Sequence, residues 1–388
     1  MILADVRAHI LKNRRFTNWA SEVEGRWTIE DLRADAGYRE DWISFDCLAW
    51  DSRSGRLYVG LTAINNDVFY VYDPASGGFS SLNFRRVGDK FDAKFHRSLE
   101  IDDDGMIYAA TALLHDADQQ RQAKGGKLLR YDPTRDTFEL LVVPVPPHYI
   151  QSICLDRKRR IIYGFTYPGE YLFRYDLADR RCRTLGFVGN GVLMCQPHGA
   201  AVDQQGRLWG TWGECRAFED KVGRVPVRIF CYDPDADEFI WFQHGFPTVG
   251  DGDLARADHM LLADDGFIYT GTAAGGLSRL DTRTGAVEAL GKPFPRSRLA
   301  GLAQGADGLI YGAGNEGYGK HGEGEARLFV LDPQTQATAD LGPIYDRRIG
   351  AGAVKVHMLV AAPDGTLYAG ENDNVLRSSF LWECRVTR

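Results

Sequence analysis

The sequence predicts an all-β fold, and three repeated features support that prediction. Seven segments share an apolar run, a turn rich in Asp or Gly, and a second run centred on one aromatic residue. Six of these segments are followed by a third run that ends in an acidic pair or a variant of it, and then by a fourth short run. Helical periodicity is weak except before residue 44, which argues against a parallel sheet with helical crossovers.

Each repeat is predicted to contain four short strands joined by Gly, Asp and Pro turns, at a spacing of about fifty residues. The aromatic centres of the second strands are Tyr58, Tyr108, Tyr163, Trp209, Tyr269, Tyr311 and Tyr368. The third strands end at Asp73, Asp132, Asp176, Asp233, Asp281 and Asp332. Such units are typical of β-propeller blades, so the sequence predicts a seven-bladed β-propeller with four-stranded antiparallel blades.

The blades are assigned to residues 44–388 as a single domain, preceded by an N-terminal segment, residues 1–43. The last repeat supplies only three strands before Arg388, and an unpaired edge would expose backbone donors and acceptors. We therefore expect part of the N-terminal segment, around residues 26–32, to pair with this edge and close the ring. The alternative is an N-terminal helix that caps one face.

Composition narrows the possible partners. Lys and Arg number 46 against 53 Asp and Glu, for a formal net charge of -7, and no block of basic residues occurs. A general nucleic-acid binder is disfavoured, because its affinity comes from neutralising phosphates. The first twenty residues mix charged with apolar side chains, so neither a signal-peptide core nor a membrane span is predicted. We expect a cytoplasmic protein that binds neither nucleic acid nor membrane.

Histidines recur at one position of the repeat, the start of the first strand, which lines the channel of a propeller. The residues at or near this position are Phe45, His96, Gln151, His198, His259, Arg298 and His357. These imidazoles are expected to face a common channel mouth, where they could hold a divalent metal ion. The residue types do not distinguish among Mn, Zn, Ca and Mg as the bound ion. The alternative is that each histidine only hydrogen-bonds a loop backbone.

Other residues could complete such a site. Glu371 closes the last hairpin fourteen residues after His357, so it is either a metal ligand or a member of a buried ion pair. Gln196 precedes His198 and is the fifth candidate metal ligand. Candidate substrate-binding residues are the aromatic Tyr149 and Trp212, which offer flat surfaces to sugar rings, and the cationic Arg97, Arg216 and Arg298, which could attract an acidic ligand.

Two known groups of propeller enzymes resemble parts of this sequence. Residues 95–111, with His115 following, resemble the histidine-bearing blade of propeller polysaccharide lyases such as ulvan lyases. The segment QPHGAAVDQQGRLW and the hairpin from His357 to Glu371 resemble blades of the streptogramin B lyase family. Oligogalacturonate lyases use a His/Gln manganese site, which implies Gln196, His198, His259 and His357 as the corresponding ligands.

The resemblance implies β-elimination from a uronic-acid-containing poly- or oligosaccharide, with a metal or cationic groups stabilising the enolate charge. It implies His96 and His115 as base or carboxylate partner and Tyr167 as the acid. Two alternatives stay open: a non-catalytic propeller that binds protein or glycan through its rim loops, and a metal-dependent lactonase-type hydrolase. The usual motifs of P-loop nucleotide hydrolases, serine esterases and zinc proteases do not occur.

Overall fold

The structure is a computed structural model that describes residues 1–189, 198–213, 226–295, 297–316 and 324–387, without the side chains of Ala20 and Glu316. Within these ranges strands and turns dominate, which confirms the all-β prediction. The two α-helices, Ile29–Ala34 (α1) and Ala36–Asp41 (α2), lie before residue 44, where helical periodicity was strongest. A π-helical turn lies at Trp19–Val23, and 3-10 turns lie at Phe84–Arg86 and Ala117–Gln119.

The strands follow one another in groups of four, and each complete group forms an antiparallel sheet in chain order. One strand, Ile2–His9 (β1), precedes the groups. The first two groups are Ile43–Asp51 (β2), Arg56–Ala63 (β3), Phe69–Asp73 (β4) and Gly78–Ser81 (β5), then Asp92–Ile101 (β6), Ile107–Leu113 (β7), Leu128–Asp132 (β8) and Thr137–Val142 (β9). A bridge between Thr62 and Lys94 joins these two groups.

The next groups repeat the pattern along the chain. They are Tyr149–Asp156 (β10), Ile161–Tyr167 (β11), Tyr171–Asp176 (β12) and Arg181–Phe187 (β13); Ala201–Val202 (β14), Leu208–Trp212 (β15), Arg228–Asp233 (β16) and Glu238–Trp241 (β17); Ala257–Leu262 (β18), Phe267–Thr272 (β19), Leu277–Asp281 (β20) and Val287–Gly291 (β21). Then come Ser297–Gln304 (β22), Ile310–Glu316 (β23), Glu325–Leu331 (β24) and Thr338–Pro343 (β25), followed by the short pair Tyr345–Asp346 (β26) and Ala351–Gly352 (β27).

The last sheet combines the two ends of the chain. Its strands are Val356–Ala361 (β28), Leu367–Glu371 (β29), Leu381–Thr387 (β30) and β1, which pairs antiparallel with β30. The pairing residues are therefore 2–9 and not the expected 26–32. Thr28 and Asp31 form a capping box, which starts helix α1 and removes much of that segment from strand pairing.

The hydrophobic core lies between neighbouring sheets. The aromatic residues that mark the repeats all lie in second strands of their groups, and none is more than 6% exposed. Burying a large apolar side chain stabilises the fold by about 1.5–3 kcal/mol, so these positions anchor each group. None of the helices in the described ranges is long and apolar enough to span a bilayer.

The first strands of the groups, here called the inner strands, lie side by side in chain order. They are β2, β6, β10, β14, β18, β22 and β28, and β28 lies next to β2 again. Residues at equivalent positions of these strands are consequently neighbours in space, although they are far apart in sequence.

The pairing of β1 with β30 predicts a specific pattern of stability effects. Val6 is 8% exposed and packs in the same cluster as Trp382, so Val6→Ala should lower the free energy of unfolding by about 2 kcal/mol. Ile2 is 65% exposed on the same strand, so Ile2→Ala should change it by less than about 0.5 kcal/mol. Urea unfolding of both variants measures the difference, and equal effects would contradict this role of β1.

Candidate functional site

A β-bulge recurs in six of the inner strands. The residues that lack a partner in the neighbouring strand are Asp46, residues 96–98, Gln151, Asp258, Ala300 and His357. A bulge releases backbone groups from the ladder and changes the direction of the side chains. The bulges therefore leave backbone carbonyls outside the ladder, and all of the unpaired residues except Ala300 carry buried polar side chains.

Four histidines lie in or just before the inner strands and are here called the histidine cluster: His96, His198, His259 and His357. The ring centroids of His96 and His198 are 4.8 Å apart, and those of His96 and His357 are 4.7 Å apart. The rings of His198 and His357 are 5.9 Å apart. His259 joins the cluster through Arg97. The four histidines selected by the repeat are thus close together.

Outer hydrogen bonds orient three of these imidazoles in the same way. Nδ1 of His96 donates to the Gln151 carbonyl at 2.8 Å, and Nδ1 of His357 donates to the Asp46 carbonyl at 2.9 Å. Nδ1 of His198 lies 2.9 Å from Oδ1 of Asp258. Because these oxygens accept, Nδ1 carries the hydrogen, and Nε2 carries the lone pair of each neutral ring.

Burial keeps the cluster neutral. It lowers the pKa of His96 and of His357 well below the ordinary histidine value of 6.5, with nearby cations adding to the effect. Burial also lowers the pKa of His198 to about 4, although hydrogen bonding to Asp258 opposes the shift. For His259, burial and then Arg97 lower the pKa to about 3. The imidazoles are therefore acceptors and potential bases, not cations, at neutral pH.

Arg97 lies within this cluster and not at the rim. It occupies the bulge of β6 with a φ of 41°, a left-handed conformation that costs a residue other than glycine about 1–2 kcal/mol. Its Nε donates to Nε2 of His357 at 3.3 Å, and its Nη1 donates to Nδ1 of His259 at 3.1 Å. Its Nη2 donates to the carbonyls of Ala300 at 2.7 Å and His357 at 2.9 Å. These N–H groups of Arg97 therefore donate to other residues of the protein.

Arg298 is also engaged within the site. Its guanidinium forms a bidentate pair with Asp258, with Nη2 2.6 Å from Oδ1 and Nε against Oδ2. This pair and the His198 hydrogen bond outweigh burial and hold the pKa of Asp258 well below its usual range. Asp258 consequently remains ionised and fixes the ring of His198. Asp258 directly precedes His259, but no feature of the sequence predicted this role for it.

The described candidate metal ligands His259, His357 and Glu371 have other partners. His259 and His357 already accept hydrogen bonds from Arg97, so their lone pairs are directed at a cation. Glu371 instead accepts two hydrogen bonds from Arg377, at 2.8 and 2.9 Å. No group of three or more His, Cys, Asp or Glu in the described ranges is arranged to hold a metal ion. Gln196 lies outside those ranges.

A cavity of about 260 Å³, here called the rim cavity, adjoins the cluster. Its lining residues are Lys94, His96, Ala112, Leu113, Leu114, Tyr149, Gln151 and Tyr167. The rings of Tyr149 and Tyr167 are 5.2 Å apart. Burial raises the pKa of both phenols, which keeps them protonated. The ammonium of Lys94 is 3.2 Å from Oδ1 of Asp46 and adds a positive charge.

A smaller cavity of about 140 Å³, here called the inner cavity, lies farther along the inner strands. His198, His259 and Arg97 line it together with residues that follow the bulges, including Glu100 and Met260. His96 lines the rim cavity, whereas His198, His259 and Arg97 line the inner cavity, so the histidine cluster borders both spaces.

Two sequence-predicted site residues lie away from the rim cavity. His115 is bonded through Nδ1 to the Asp116 carbonyl at 2.9 Å, and its ring contacts Phe91 edge to face. Trp212 packs against Trp241 and donates to the Ile229 carbonyl at 3.1 Å. Both therefore have local packing roles. Arg216 lies outside the described ranges.

No protein-family model and no curated protein matches the sequence. Among solved structures, the chain is similar to virginiamycin B lyase from Staphylococcus aureus, with a TM-score of 0.62 and 13% identity over 89% of this chain and 95% of that chain. A streptogramin B lyase structure gives a TM-score of 0.62 and 13% identity, covering 89% and 93%.

The WD40 repeats of RRP9 give a TM-score of 0.56 and 10% identity, covering 90% of this chain and 96% of that chain. Likeness at such low identity concerns the fold and not the activity. The sequence resemblance to ulvan and oligogalacturonate lyases stays a prediction. Together, the four-stranded sheets and these structures show that the chain has a β-propeller fold similar to that of streptogramin B lyase.

Proposed function

We propose that this protein is a lyase that cleaves a uronic-acid-containing poly- or oligosaccharide by β-elimination in the rim cavity. One observation carries the proposal: this cavity combines a neutral imidazole, protonated phenols and a lysine ammonium. These groups are a base, an acid and a carboxylate partner, the three functions that the elimination needs.

A complete propeller ring would bring these groups together. We infer a ring of seven four-stranded blades, in which β1 completes the last blade. The support is the series of inner strands, which leads from β2 through the intermediate groups to β28 and returns to β2. In such a ring, the rim cavity lies at one mouth of the central channel.

Each residue has a defined part in the reaction. Nε2 of His96 accepts the proton from the carbon next to the uronate carboxylate, and the electron pair of that C–H bond forms the new carbon–carbon double bond. The glycosidic C–O bond at the β-carbon breaks, and Tyr167 donates its phenolic proton to the departing oxygen. Lys94 attracts the substrate carboxylate and offsets the charge that develops on it. Tyr149 provides a flat wall for the sugar ring.

A metal ion has no step in this mechanism, because the histidine cluster already surrounds Arg97. The same observation also disfavours the metal-dependent lactonase. The non-catalytic alternative is favoured by one feature, namely that the N–H groups of Arg97 are used within the protein. A binding propeller could use the rim cavity without performing chemistry.

Ultraviolet absorbance of the unsaturated uronate product distinguishes these functions. The purified chain should raise this absorbance with at least one member of a panel of acidic polysaccharides and oligosaccharides. Neutral polysaccharides should give no signal. Binding to a panel member without any absorbance change would support the non-catalytic alternative and contradict the lyase.

Removal of the base or the acid should abolish most of the elimination. We expect His96→Gln and Tyr167→Phe each to lower kcat by at least about 100-fold, because general acid or base catalysis contributes that much. Initial rates of product absorbance, with substrate binding measured in parallel, check this expectation.

Two matched variants separate chemistry from folding. Tyr171→Phe removes a phenol of the same sheet whose ring packs on His148, outside the residues that line the cavity. His244→Gln removes an exposed imidazole that is bonded to the Gly285 carbonyl. Both should retain wild-type rates. Equal losses in all four variants would show that the effect is structural.

The shifted pKa values of His96 and Tyr167 predict a broad pH optimum for the reaction. His96 acts as a base only when deprotonated, and burial lowers its pKa, so the acid limb of kcat/KM should lie below pH 6.5. Tyr167 acts as an acid only when protonated, and burial raises its pKa, so the alkaline limb should lie above pH 10.0. Rates across this range measure the plateau. An acid limb at or above the ordinary histidine value would exclude His96 as the base.

A further inference from the structure

We propose that the guanidinium of Arg97 is the resident cation of the histidine cluster and takes the place that a divalent metal ion would occupy there. Its removal would convert the cluster into a metal-binding site. This role goes beyond the lyase reaction and would stand even if the rim cavity proved to have no activity.

The first support is the way in which the imidazoles are held. Histidines that bind metals almost always donate their second ring N–H to a carboxylate or a backbone carbonyl. His96 and His357 donate Nδ1–H to backbone carbonyls, and His198 donates to the Asp258 carboxylate. The rings are thus held as metal ligands are, with the Nε2 lone pair not used by these hydrogen bonds.

The second support is the position of the Arg97 guanidinium within the histidine cluster. The donors of Arg97 meet Nε2 of His357 and Nδ1 of His259, so one planar cation satisfies lone pairs from two strands. Asp258 lies 3.7 Å from Nη2 of Arg97 and supplies negative charge. A divalent ion beside this guanidinium would face repulsion at short range, since both are cations in a buried site. Arg97 and a metal ion are therefore alternatives.

Without the guanidinium, the lone pairs of His259 and His357 lose their hydrogen-bond donor. The rings of His96, His198 and His357 are neighbours, and their neutral state leaves no proton to displace. A cation that prefers nitrogen ligands, such as Co²⁺, could then recruit His357 with two of the remaining histidines. The present positions do not converge on one point, so binding requires a small shift of the rings after the guanidinium is removed.

Cobalt titration of the full chain tests this proposal, with visible absorption and calorimetry as readouts. Wild type and Arg97→Lys, which retains a positive charge, should show no stoichiometric Co²⁺ site. Arg97→Met, which keeps the length of the side chain without its charge, should bind one Co²⁺ at least about tenfold more tightly than wild type. His357→Gln in the Arg97→Met background should abolish the gain.

Two results would overturn the proposal. One is a stoichiometric metal in the wild-type protein that His357→Gln removes, because metal and Arg97 would then coexist. The other is an Arg97→Met protein that unfolds cooperatively like wild type yet gains no affinity. If Arg97→Met does not fold, Arg97→Gln is titrated in its place, and the wild-type measurement decides independently. Lyase activity is not a readout, so failure of the proposed reaction would be seen separately.

Discussion

The polar groups along the inner strands depend on the bulges of these strands, because a bulge leaves backbone carbonyls that the ladder cannot satisfy. An unpaired buried carbonyl costs about 1–3 kcal/mol, so polar side chains must reach these positions. The Asp46 carbonyl of β2 accepts from His357 of β28, and the Gln151 carbonyl of β10 accepts from His96 of β6. The bulges at Asp46 and Gln151 thus each order an imidazole from a neighbouring strand.

Arg97 forms hydrogen bonds to strands that are not neighbours of its own strand. Its guanidinium starts on β6 and donates to carbonyls of β22 and β28 and to an imidazole of β18. A buried charge carries a desolvation penalty of several kcal/mol, which only multiple good hydrogen bonds can offset. Those bonds require neutral imidazoles, because a protonated ring at the same distance would repel the guanidinium. The lowered pKa values and the position of Arg97 are therefore parts of one arrangement.

The repeat made much of this arrangement predictable. Equivalent repeat positions placed His96, His198 and His357 together, and the repeated apolar and aromatic runs predicted the four-stranded units. The bulges were not predictable, because no residue type marks them in the sequence. They nevertheless decide where the polar side chains of the inner strands lie. Arg97 follows His96 and was expected at the rim as a substrate ligand, but the three bulged residues of β6 direct it inward. Glu371 was expected beside His357; the bulge pairs it with Val356 instead, and Arg377 binds its carboxylate.

The N-terminal segment supplies β1 to the last sheet and also contacts a wall of the rim cavity. Helix α1 is fixed to the segment after β7, because Asp116 accepts the backbone N–H of Ile29, and Arg33 donates to the Leu114 carbonyl at 3.0 Å. Leu114 is a wall of the rim cavity, so residues far from the inner strands define its outer boundary. On the inner side, the histidine cluster borders both cavities. In the proposed reaction, a saccharide would enter the rim cavity, whose small volume admits a short part of its chain.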